Sequence, residues 1–90
     1  VTQAIVNPEE LRRFALTLKE FNSELLGRMS SLSSRLNALS NTWRDQENAK
    51  FSEEFAQHMK VLARFIEANN EHIPYLLRKA ERIEEYLRQK

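Results

Sequence analysis

The sequence predicts an all-α protein: a two-helix antiparallel hairpin that pairs into a four-helix bundle dimer. Three observations carry this expectation. One Gly and two Pro in 90 residues leave little material for loops, so the helices must be long. Leucines recur at heptad spacing through the first half, and apolar residues alternate at intervals of four and three through the second. A single short polar stretch around Trp43 divides the two patterns. The whole chain, 1–90, therefore reads as one hairpin domain. Helix 1 is placed at about 8–40, the turn around Trp43, and helix 2 at about 45–88.

Helix 1 opens at Asn7-Pro8-Glu9-Glu10. Asn7 suits the N-cap, Pro8 the first helical position, and the carboxylates suit the positive helix end. Glu10 could also close a capping box with Asn7. Leu11, Leu18, Leu25, Leu32 and Leu39 then recur every seventh residue. Phe14 and Phe21 accompany them early and Met29 and Leu36 later, so the companion position is expected to slide by one residue, as in a nearly straight helix. Gly27 and Ser30, Ser31, Ser33 and Ser34 weaken the helix locally. The leucine register runs through them, so one helix is expected. Gly27 is either a close-approach point between backbones or a tolerated surface residue.

The apolar stripe stops at Leu39. Thr42 and Asp45 form a second capping-box pattern, with Asp45 itself the alternative N-cap. Helix 2 carries Phe51, Phe55, Met59, Leu62, Ile66, Ile73, Leu76, Ala80, Ile83 and Leu87, with Leu77 beside the seam and Asn69 at one core position. Pro74 lacks an N–H and crowds the preceding turn, so a kink near it is expected within one continuous helix. Asn69 is a register device if it meets a polar partner, and a solvated position at the kink if it does not.

Two helices of this size are on the order of 45–60 Å long. A link of some six residues makes them neighbours. Apolar residues also lie off the seam: Leu16 and Leu26 on helix 1, Val61, Phe65, Tyr75 and Leu77 on helix 2. The apolar arc is wider than one helix–helix contact needs, which marks a partner surface. Pairing of two copies about a two-fold axis is the commonest solution. The candidate interface is read as Leu11, Leu18, Phe21, Leu25 and Leu32 with Phe55, Leu62 and Ile66.

Composition excludes several functions. Charged residues make up 30% of the chain but balance to a net +1, which argues against nucleic acid or an anionic membrane as partner. The basic residues near the end (Arg78, Lys79, Arg82, Arg88, Lys90) alternate with Glu81, Glu84 and Glu85, as on a mixed solvated face. No stretch approaches the ~20 apolar residues of a membrane span, and polar faces of both signs argue against stable insertion as an amphipathic helix. Residues 1–6 are too short and uncharged for a signal peptide, so any export would use a route without a cleaved leader.

No catalytic or metal set emerges. The chain has no Cys and two His. His58 and His72 lie about 21 Å apart along one helix and cannot share an ion. Glu53-Glu54 and Glu84-Glu85 are adjacent pairs that point about 100° apart. One Gly provides no phosphate loop, and no loop-borne Ser–His–acid set can be assembled. No enzyme and no cofactor is expected.

Two helices with a Trp in the turn, followed by a helix carrying aromatics, resemble the WXG100 (ESAT-6-like) family. Pro8–Arg12 is similar to the family's helix 1 opening, and residues 36–43 (Leu-Asn-Ala-Leu-Ser-Asn-Thr-Trp) to its approach to the motif. Ala49, Phe51 and Phe55 fall where the family tends to have Ala, Phe and another aromatic. The resemblance covers nearly the whole chain. It implies a non-enzymatic, dimeric hairpin, partnered by itself or a related hairpin. It further implies a type VII (ESX)-like secreted factor or secretion partner that meets a secretion ATPase. The alternative is a cytoplasmic adaptor of the same fold.

Two features depart from the family. Asp45 stands where the Trp-x-Gly motif has Gly; Asp suits a helix start, so the turn is expected to survive. The export signal resembles Tyr, three residues, then an acid, whereas Lys79 follows Tyr75 and Lys90 follows Tyr86 at that spacing. Trp43 has two compatible readings: packing across both helix ends, favoured because of its size, or presentation to a partner.

Overall fold

In the computed structural model, residues 6–89 are described, and among them the chain forms two helices, α1 (Pro8–Leu39) and α2 (Gln46–Arg88). The readings placed on residues 1–5 and on Lys90 lie outside this range. The helices run antiparallel. Arg12 meets Glu84, Asn22 meets Asn69 and Asn70, and Ser40 meets Asn48, so partners approach one another in sequence toward the turn. The hairpin measures 68 × 23 × 16 Å, about the length of α2 at 1.5 Å per residue.

Each helix starts where its cap places it. The Asn7 side chain accepts from the backbone N–H groups of Glu9 (2.8 Å) and Glu10 (3.3 Å), ahead of Pro8. Asp45, not Thr42, caps α2, accepting from the Asn48 N–H at 3.0 Å. Thr42 instead donates its hydroxyl to the Leu39 carbonyl at the end of α1. The freed carbonyls there are met by the Ser40, Asn41, Thr42 and Trp43 N–H groups, so α1 ends without a left-handed residue or a Gly. α2 continues through Pro74 as one helix.

The α2 seam is the row the sequence indicates from Phe55 to Ile83, whereas Phe51 and Leu87, read as its two ends, are exposed because the straight helix carries them off the seam. Phe55, Met59, Leu62, Ile66, Asn69, Ile73, Leu76, Ala80 and Ile83 are buried or half-buried. The α1 seam differs from the sequence reading in both its rows. The companions of Leu11, Leu18 and Leu25 are Ala15, Asn22, Met29 and Leu36, an unbroken heptad row that does not slide. Ala15 is 0% and Asn22 4% exposed, whereas Phe14 (58%) and Phe21 (49%) face outward. The drift falls instead on the leucine row. Beyond Met29, Ser33 and Ser40 take the inward positions, and Leu32 and Leu39 turn out. A step of four followed by another step of four, at Leu25–Met29–Ser33, is how a straight helix corrects a 3.5-residue repeat.

Gly27 marks no close approach inside the hairpin. A Cβ there would meet nothing within 4 Å.

Candidate functional site

One apolar surface that the hairpin leaves uncovered is built from the displaced rows, and Leu16, Leu26, Val61 and Tyr75 are exposed besides. Phe14, Phe21, Leu32 and Leu39 line one flank of α1, all exposed. On α2, Phe51 and Phe65 are two heptads apart and exposed, so they share one line of the helix. The two flanks belong to one face, because Phe21 and Phe65 meet edge to face across the groove, ring centroids 6.4 Å apart and planes at 88°. That is the favoured aromatic geometry. His58 and His72 occupy the same α2 line, one heptad on from each Phe, and no cluster of metal-binding side chains occurs among the described residues.

At the turn, aromatic rings continue this face. Trp43 is half-buried and stands 6.0 Å from Phe51, which stacks in turn on Phe55 at 6.1 Å. Below them the seam is unusually small and polar. Ser40 and Asn48 hydrogen-bond across it at 3.1 Å. Ser33, Ser52 and Ala56 leave an open groove of about 310 Å³ against Leu36, Phe55 and Met59.

The far end is closed by charge. The Arg12 guanidinium donates to both oxygens of Glu84, at 2.8 and 2.6 Å. That hydrogen bond holds the Glu84 carboxyl below its usual value, against the opposing effect of burial, and raises Arg12 further. The fork geometry specifies which atoms meet, so the pair aligns the first turn of α1 with the last turns of α2.

The predicted interface residues divide between these two surfaces. Leu11, Leu18, Leu25, Phe55 and Leu62 are half-buried along the seam, and Ile66 is 7% exposed inside it. Phe21 and Leu32 face outward. Trp43 packs at the turn, and Asp45 serves as cap.

A family model described as proteins of 100 residues with WXG matches residues 3–86. The chain belongs to the WXG100 family. WXG100 proteins are non-enzymatic. No curated protein and no solved structure matches the chain. Within the WXG100 motif, Trp43-Arg44-Asp45 replaces Gly by Asp, and the backbone explains why this is tolerated. Asp45 has φ −105° and ψ −176°, extended angles open to any residue. Arg44 ties the turn down from its own side, its Nε donating to the Asn41 carbonyl at 2.8 Å.

Sequence reasoning missed two inward residues of α1. Ala15 is small and Asn22 polar, so neither registers in an apolar count. The available signal was the constant heptad 15-22-29-36, together with a second asparagine on the α2 seam.

Proposed function

We propose that this WXG100 protein works by pairing its phenylalanine face with a second hairpin, most simply another copy, to give a four-helix bundle. The observation that carries the reading is the exposed set Phe14, Phe21, Leu32, Leu39, Phe51 and Phe65 on one side of the molecule. Its area agrees. The chain exposes 7561 Å², against about 5,500 Å² for a compact protein of 10.7 kDa. An excess on the order of 2,000 Å² is ample for a standard protein interface.

Light scattering on the purified protein tests this, with twice the 10.7 kDa chain mass expected. Phe21→Asp puts a charge on the exposed face without touching the seam and should return the chain mass while keeping helicity. A monomer before substitution, or an unchanged mass after it, overturns the assignment. Leu25→Asp is a poorer test, because Leu25 is half-buried between the helices and folding would fail together with pairing.

The paired hairpin then serves a type VII (ESX)-like secretion system, as a secreted factor or secretion partner, with the Trp43 end facing the secretion ATPase. Family membership and the position of Trp43 in the turn support this. A second reading is a cytoplasmic adaptor that is never exported. It is favoured by Lys79 and Lys90, which stand where an acid would follow Tyr75 and Tyr86 in the export signal. Blotting cells and medium, with and without the secretion ATPase, separates the two. ATPase-dependent protein in the medium supports secretion, and retention in both strains supports the adaptor.

A further inference from the structure

A three-asparagine cluster sits in the middle of the seam. Asn69 Nδ2 donates to Asn22 Oδ1 at 3.1 Å, and Asn22 Nδ2 donates to Asn70 Oδ1 at 3.0 Å. Asn22 is the one buried polar residue among those described. No buried side-chain polar atom among the described residues lacks a partner.

The first half of α1 has two ways to face α2. Leu11, Leu18 and Leu25 serve either. In one setting their companions are Phe14 and Phe21; in the other, Ala15 and Asn22. Apolar burial alone favours the first, since two phenylalanines cover far more area than an alanine and an amide. The structure adopts the second. Asn69 supplies the reason. It lies on the α2 seam between Ile66 and Ile73, both buried, and a ring opposite it would leave its amide without a partner in an apolar layer. Asn22 opposite it satisfies the amide, and Asn70 satisfies Asn22.

We propose that the Asn22–Asn69–Asn70 cluster selects the rotational setting of α1, and so keeps Phe14 and Phe21 out of the hairpin and on its outer face. The asparagines act as positioning residues for that face. This deepens the pairing reading, because the selected setting is the one that leaves a surface to pair with. The setting itself is a property of one chain, so it is tested separately from the mass in solution.

The chain contains no Cys, so a single introduced thiol reports on one site. Ala15→Cys, at a fully buried position, should resist alkylation until the protein unfolds. Adding Asn69→Leu removes the polar demand on α2. Alkylation of the Ala15→Cys thiol should then quicken at least tenfold while circular dichroism still reports full helicity. Protection equal to that of Ala15→Cys alone would overturn the proposal. If Asn69→Leu loses helicity, the double variant Asn22→Leu/Asn69→Leu decides. A selector that sacrifices stability for specificity predicts that the double variant melts above the parent with the thiol open to alkylation, and a thiol still protected overturns the proposal. A double variant melting below the parent makes the cluster a source of stability, and the selector reading falls.

Discussion

Single residues set the ends of this hairpin, and two of them carry measurable consequences. Asp45 caps α2 with its carboxylate while its backbone stays extended. Asp45→Ala should therefore cost about 1 kcal/mol of stability in a urea titration, whereas Asp45→Gly, the residue of the family motif, should cost only a few tenths. Equal losses would mean that the carboxylate, not the backbone, limits the turn. Glu84 acts at the other end. Its pairing with Arg12 holds its folded value below the ordinary 4.5. The pair's contribution is thus present above the unfolded carboxyl's value and fades as pH falls through the lower folded one. Arg12 stays protonated throughout this range and adds no slope. Both side chains are about one-third exposed, so the effect is modest and weakened by salt. Melting curves of the wild type and Glu84→Gln should lie apart at neutral pH and converge below about pH 4.5. Parallel curves over that range would show that the pair does not stabilise the fold.

Among the elements, α1 is the weaker, and Gly27 is its softest point. The residue lies mid-helix with open space where its Cβ would be. Gly27→Ala should raise stability by about 1 kcal/mol, read as a later urea midpoint with an unchanged slope. A loss instead would show that a second molecule packs closely against that side of α1. The two helices were also unequally legible. The α2 seam could be read directly because its inward residues from Phe55 to Ile83 are mostly large and apolar. The α1 seam could not, since phenylalanines at 14 and 21 outweigh Ala15 and Asn22 in any apolar count. Hydrophobic periodicity finds the faces of a helix that avoid water, but it cannot divide them between an internal partner and an external one. Here that division turns on a polar contact between residues 47 apart in sequence. The caps were more readable because they depend on neighbours: Asn7 and Asp45 act on N–H groups two or three residues away. The Arg12–Glu84 pair, 72 residues apart, had no local signature.

At the scale of the whole molecule, the hairpin is slender and its interior small. Its radius of gyration is 20.3 Å, against about 12 Å for a compact chain of 90 residues. No large side chain among the described residues is fully buried, and the core proper amounts to Ala15, Ile66, Ile73 and Ala80. Two long helices in contact along one seam bury less apolar area per residue than a compact domain does. On the proposed pairing, covering the phenylalanine face adds to the stability of the fold, so the pair is more stable than the lone hairpin. Separation then lowers stability, and mass action links stability to concentration. Each tenfold dilution removes about 1.4 kcal/mol from the paired state, which lowers the melting temperature of a unit this size by about 3–5 °C. Scanning calorimetry or circular dichroism across a hundredfold range of concentration measures this directly. A melting temperature that stays constant across that range, in a protein of single-chain mass, would mean that this slender hairpin stands alone.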